Sequence, residues 1–177
     1  VQYVIILNTN AGLWGYNIGD TIEFTSLNPY RIIVSGRIKH FISAFGEHVI
    51  AKEVEQAMNL ALEAFPEVEI TEFTVAPQIE PDEGLPHHEW FVEFVSTPSD
   101  IEQFSKVIDK SIRAQNTYYN DLIEGKVLRP LVITSLEKNA FNKYLKSLGK
   151  LGGQNKPPRL SNNRIVADLL MNYKKNT

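Results

Sequence analysis

Apolar residues along this chain recur with two periods, one of two residues and one near three and a half, and the changes between them predict a succession of strands and helices. Val4, Ile5, Ile6 and Leu7 form an apolar run closed by Asn8, Asn10 and Gly12, which predicts a strand over residues 1–7. Residues 21–25 and 31–35 carry strand-like content on either side of an Asn28-Pro29 turn, so the chain opens with a small β segment. Residues 39–49 alternate through Phe41, Ile42, Ala44 and Phe45 toward Gly46, as a hairpin with its tip at that glycine would. Beyond it, Val54, Met58, Ala61, Leu62 and Phe65 lie on one face of a helix that Pro66 ends.

Residues 69–79 alternate again, and residues 90–95 form another strand after a polar loop over 80–89. Thr97, Pro98, Ser99 and Asp100 supply cap and first-turn chemistry for a helix whose inward face is Ile101, Phe104, Ile108 and Ile112. A strand over 127–134 contains Pro130, which calls for an edge position or a bulge. A helix over 137–148 turns Phe141, Leu145 and Leu148 inward, and a glycine- and lysine-rich loop over 149–158 leads to a last helix, 162–173, with Ile165, Val166, Leu169 and Leu170 apolar. This order predicts an α+β fold, a mixed or antiparallel sheet with helices packed on it around a split βαβ core. The boundary with the opening β segment falls near residues 36–40.

Composition narrows the functions. The 177 residues, 43% hydrophobic, suffice for one domain, or one domain and a strip of another. A formal charge of −3 provides no global field for nucleic acid, and the lysines toward the C-terminus lack interleaved aromatic platforms, so they read as a solvated face. No apolar run approaches the roughly 20 residues of a membrane-spanning helix. Without cysteine there is no disulfide, thiolate metal site or cysteine nucleophile, and with no signal-peptide pattern the expected location is cytoplasmic. An apolar strand beginning at Val1 suggests a piece of a longer chain. His87 and His88, with Asp82, Glu83 and Glu89 nearby, would bind one metal ion only from an irregular loop, because neighbours in a strand point to opposite faces; no metal site is expected.

Three stretches carry candidate chemistry. The first, Tyr16-Asn17-Ile18-Gly19-Asp20, ends in a carboxylate just before a strand. Alone it reads as a turn, although a carboxylate there can accept hydrogen bonds from ribose hydroxyls. The second runs from Gly36-Arg37-Ile38-Lys39-His40 through Gly46-Glu47-His48 to Glu53-Val54-Glu55. Taken alone, it is a strand, a hairpin with a charged edge and a helix start. The third is Gly152-Gly153-Gln154-Asn155-Lys156-Pro157-Pro158-Arg159, which alone would be a basic linker.

Together these stretches resemble the adenylate-forming enzymes, in which a Gly-Arg pair is followed two places after the arginine by Asp or Lys, nine places after it by glycine, and then by a Glu-x-Glu pair at a helix start. Arg37, Lys39, Gly46, Glu53 and Glu55 fall in that register, and Lys156 and Arg159 match the glycine-containing loop with a lysine and, three residues on, an arginine. Ala11-Gly12-Leu13-Trp14-Gly15-Tyr16-Asn17-Ile18-Gly19-Asp20 is similar to the Ala-Gly-Leu-Tyr-Arg-Tyr-Arg-Leu-Gly-Asp segment of the GH3 auxin-responsive family of acyl acid amido synthetases, and the resemblance covers essentially the whole chain. Gly15 and Asn17 stand where plant members commonly have arginine, and His48 where relatives often have lysine or arginine.

The resemblance implies the C-terminal cap of an enzyme that adenylates a carboxylic acid with ATP and then lets an amino acid displace AMP. It implies residues 1–38 as the end of a large adenylation domain and hinge approach, and 39–177 as the cap. Lys156 would be the catalytic lysine, Asp20, Arg37 and Tyr16 nucleotide-binding residues, Lys39 the hinge, and His48 a substrate or phosphate contact. ATP and Mg2+ would be held mainly by an N-terminal adenylation domain outside this chain, and a fragment alone would be inactive. Two other readings stay open: an acyl-CoA synthetase cap, with thiol in place of amine, and a non-catalytic α+β ligand-binding module.

Overall fold

A computed structural model describes residues 2–37, 41–150 and 156–175. The first strands, β1 (Gln2–Leu7), β2 (Tyr16–Leu27) and β3 (Tyr30–Arg37), form an antiparallel sheet in that order. β2 is longer than its apolar content predicts and takes in the Tyr16 to Asp20 stretch. A register irregularity accommodates that stretch, since Val4 pairs with Thr21 but Ile6 with Asn17. Both hydrophobic core clusters consist of residues from Ile42 onward, while Tyr3, Ile6, Trp14, Tyr30 and Val34 of the first 37 residues are exposed.

The predicted hairpin is β4 (Phe41–Ile42) paired antiparallel with β5 (Val49–Ile50), with Gly46 at φ 92°, a backbone region L side chains rarely adopt. Helix α1 (Ala51–Ala64) follows and buries Val54, Ala57, Met58 and Ala61. The Glu53 carboxylate accepts a hydrogen bond from the Ile50 N–H at 2.9 Å, satisfying one of the donors a helix start leaves open.

The main sheet has the order β6-β7-β8, with β6 (Glu69–Gln78) antiparallel and β8 (Val132–Leu136) parallel to the central β7 (His87–Ser96). The fold is therefore α+β with a mixed sheet, and the parallel pair is joined by α2 (Ile101–Gln115) and α3 (Thr117–Glu124). α2 starts at an Asp100 cap that accepts from the Gln103 N–H at 2.9 Å, and buries Phe104, Ile108 and Ile112. Burying such a side chain stabilises the fold by about 1.5–3 kcal/mol. Ile101, in the first turn, remains 38% exposed.

Elements beyond β2 also differ from their prediction for local reasons, and β7 already starts at His87, inside the predicted loop over 80–89. α3 carries only one buried residue, Tyr119, in a short segment of weak helix formers, so its period is too brief to read. β8 begins at Val132 because the chain before it is held by turn bonds, from the Val127 and Leu128 amides to the Leu122 carbonyl and from the Leu131 amide to Asp109. The last helix shortens to α5 (Ile165–Leu170), followed by a 3-10 turn over Met171–Tyr173. Its buried residues are Ala167 and Leu170, packed with Phe141 and Tyr144 of α4 (Ala140–Ser147), whereas Ile165 and Leu169 face outward. Leu148, just beyond α4, is also exposed. No described helix is long and apolar enough to cross a membrane.

Candidate active site

Asp20 lies in β2 directly opposite Arg37 of β3, so the first stretch and the start of the second are backbone partners. Gly19, at φ 82°, turns the chain just before Asp20, and the Asn17 side chain accepts from the Gly19 N–H at 2.8 Å. This is the local turn chemistry that Asx side chains favour, inside a strand. Asp20 is half-buried and Tyr16 is 52% exposed. Lys39 and the Arg37 side chain lie outside what the structure describes.

His48 follows the hairpin tip in a left-handed conformation, φ 47°, and is exposed, with its ring 4.8 Å from that of Phe41. The preceding Glu47 turns inward. Its Oε1 lies 2.8 Å from His88 Nε2, and its Oε2 accepts from the Phe45 N–H at 2.8 Å. Burial pushes this carboxyl up, but the hydrogen bond and charge of His88 and the Glu47 and Phe45 amides outweigh that and hold it below the usual carboxylate range. The network continues inward: the His88 ring packs 5.0 Å from Tyr119, whose hydroxyl donates to Asp109 at 2.8 Å. Burial, with the Asp109 carboxylate, raises the Tyr119 phenol well above its ordinary value.

The third stretch joins the main sheet. The Val75 N–H donates to the Arg159 carbonyl at 3.1 Å, the Ser161 N–H to the Val75 carbonyl at 2.9 Å, and the Thr74 hydroxyl to the Pro158 carbonyl at 2.7 Å. Residues after Lys156 thus extend the edge at β6, with Leu160 buried. The Arg159 guanidinium sits 4.3 Å over the Phe73 ring, donates to the Phe73 carbonyl at 3.1 Å, and pairs with Glu55 at 3.2 Å and with Glu72. Lys156 is exposed, and among the described residues no hydrogen bond or ion pair ties its ammonium to the protein. The Lys156 stretch and the Glu53-x-Glu55 pair, far apart in sequence, therefore meet through Arg159, while Gly152 and Gly153 lie outside the described residues.

The two neighbouring histidines take opposite sides of β7. His88 meets Glu47, and His87 accepts from Arg129 Nε at 3.2 Å through Nδ1. Burial lowers the basicity of His87; the Leu85 carbonyl opposes that shift, Arg129 adds to it, Glu89 opposes it and Arg164 adds to it. Glu89 is occupied by the Thr134 hydroxyl at 2.5 Å and by Arg164 at 2.9 Å. Among the described residues there is no group of three or more His, Cys, Asp or Glu arranged to hold a metal ion.

Residues 52–165 match the family model described as the GH3 family C-terminal domain. The chain belongs to the GH3 family. It is 24% identical, over 96% of its own length, to the indole-3-acetic acid-amido synthetase GH3.10 of Arabidopsis thaliana, of which it covers 30%. Its fold matches a solved GH3.15 acyl acid amido synthetase with a TM-score of 0.78 at 21% identity, over 99% of this chain and 34% of that one. A second structure, AtGH3.15 acyl acid amido synthetase in complex with 2,4-DB, matches with a TM-score of 0.74 at 20% identity, over 99% and 33%. This GH3 chain thus spans about a third of the length of the relatives it matches.

The sequence by itself gives no separate role to Glu47 or Glu72, and offers His88 only as one of a pair of possible metal ligands. Each has a partner 41 or more residues away along the chain, so no local spacing announces the pairing.

Proposed function

We propose that this GH3 chain is the C-terminal portion of an ATP-dependent acyl acid amido synthetase, which adenylates a carboxylic acid and transfers the acyl group to an amino acid. The observation that carries this reading is the juxtaposition, in a GH3 C-terminal domain, of an exposed Lys156 with a sheet edge held by Arg159. Charge gathers on the α-phosphate during adenylation, and an ammonium that adds no competing bond in its resting position can stabilise it. A compact point charge suits that role better than a planar guanidinium.

In this reading Asp20 holds the ribose hydroxyls, with Tyr16 and Arg37 near the nucleotide, Lys39 is the hinge, and His48, exposed beside the hairpin tip, contacts phosphate or the amine substrate. Residues 1–38 belong to the large adenylation domain and 39–177 to the cap. The apolar residues exposed on the first sheet support a neighbour there, because a cluster of that kind marks an interaction surface. ATP and Mg2+ are held mainly by that N-terminal domain. The fragment alone is inactive, and the enzyme works in the cytoplasm.

The test is an assay of the protein joined to its N-terminal domain, following acid-dependent pyrophosphate release and amide formation over a panel of acids and amino acids. Lys156→Ala is expected to fold and to lose adenylation. A folded Lys156→Ala enzyme that matches an active wild type overturns the lysine assignment.

A further inference from the structure

The strongest unassigned feature of the molecule is how much of it is committed to Arg159. One guanidinium engages two carboxylates from different elements, Glu55 of α1 and Glu72 of β6, as well as the Phe73 carbonyl, and lies over the Phe73 ring. That ring is itself stacked on the buried Trp90 of β7, 5.4 Å away at an interplanar angle of 8°. The Arg159 backbone is fixed as well, by its carbonyl bond to Val75. Three residues before this anchor stands Lys156, and the two residues between them are Pro157 and Pro158. Proline locks its own φ and restricts the residue before it, so Lys156, Pro157 and Pro158 have little freedom to rearrange. At about 3.1 Å per residue for an extended proline segment, the arm from Arg159 to Lys156 is on the order of 9 Å long.

The same edge is tied to the hairpin, because the Ser43 N–H donates to the Asn162 side chain at 2.8 Å. Glu55 provides a second tie, since α1 continues directly from β5. The hairpin, α1 and the segment that carries Lys156 are therefore tied to one another at two points.

We propose that Arg159 is a positioning residue for Lys156: it touches no reacting atom, and through the stiff Pro157-Pro158 arm it sets where the ammonium stands for adenylation. The proposal rests on the reading of Lys156 as the catalytic lysine. Lysine is a poor replacement for Arg159 in this role, because its compact ammonium lacks the planar five-donor fork that reaches Glu55, Glu72 and the Phe73 carbonyl at once from over the Phe73 ring. A misplacement of about 1 Å at a reacting group can cost on the order of a hundredfold in rate.

The experiment compares four variants of the complete enzyme: Lys156→Ala, Arg159→Lys, Arg159→Met and the double substitution Pro157→Gly with Pro158→Gly, which loosens the arm and leaves the anchor in place. Acyl adenylate formation is measured in a single turnover, aminolysis is measured separately from preformed acyl adenylate, and thermal unfolding is followed for each variant. Arg159→Lys, Arg159→Met and the double glycine variant are expected to lose roughly 10- to 100-fold in the adenylation rate, with the KM for ATP and the aminolysis rate close to wild type. Equal slowing of both half-reactions together with a lowered Tm would make Arg159 a merely structural residue and overturn the proposal. So would normal adenylation in all three when Lys156→Ala has lost it. Should Arg159→Met fail to fold, the double glycine variant decides, since it leaves every Arg159 contact intact. An undiminished Lys156→Ala enzyme sinks the underlying reading, whatever the Arg159 variants do.

Discussion

His88 Nε2 lies 2.8 Å from Glu47 Oε1 with both side chains buried, joining the hairpin tip to the central strand of the main sheet. Removing one member of a buried pair leaves the other desolvated without its partner, which typically costs about 3–5 kcal/mol. Glu47→Ala should destabilise the protein by about that amount in a denaturant titration. The double variant with His88→Ala should cost less than the sum of the single changes, with a coupling of about 0.5–3 kcal/mol. Strict additivity would show that the two side chains are not energetically coupled.

Acidification should act through two groups. The buried His87 is a weaker base in the folded protein than its ordinary value near 6.5. The unfolded chain therefore takes up the proton first, and stability falls as pH drops from about 6.5 toward the folded value. Glu47, held below the usual carboxylate range, contributes stability that is present above the ordinary carboxylate pKa of about 4.3 and is lost as pH falls through its folded value. Unfolding free energy measured against pH should show both declines, and His87→Asn should remove the upper one. An unchanged slope just below about pH 6.5 in that variant would assign the upper decline to another group.

Tyr119→Phe removes the hydroxyl that donates to Asp109 and leaves that carboxylate with the Leu131 amide. A buried acceptor deprived of one donor costs about 1–3 kcal/mol. The loss should appear as a lower midpoint with an unchanged m-value. A midpoint equal to wild type would mean that Asp109 finds another donor in the variant.

The helices and strands that were legible in advance were those whose apolar period ran through several repeats. Phe104, Ile108 and Ile112 of α2 announce their buried face, as do Val54, Met58 and Ala61 of α1. Where the repeat is short, the pattern fails. α3 presents a single buried tyrosine, and α5 hides Ala167 and Leu170 while exposing Ile165, so the most hydrophobic residues mislead. The position of β8 after Pro130 depends on turn bonds to Leu122 and Asp109 that no local window contains.

For this protein the order of elements, the α+β class and the motif spacing that marks a GH3 chain are properties of the sequence itself, because periodicity and turn chemistry act between residues near one another along the chain. The pairing of Arg159 with Glu55 and Glu72, and of Glu47 with His88, belongs to the tertiary structure alone. A charge written in a sequence carries no statement of its partner. Only packing brings two such groups within hydrogen-bonding distance, and at Glu47 and His88 it also removes the water that would otherwise have screened them.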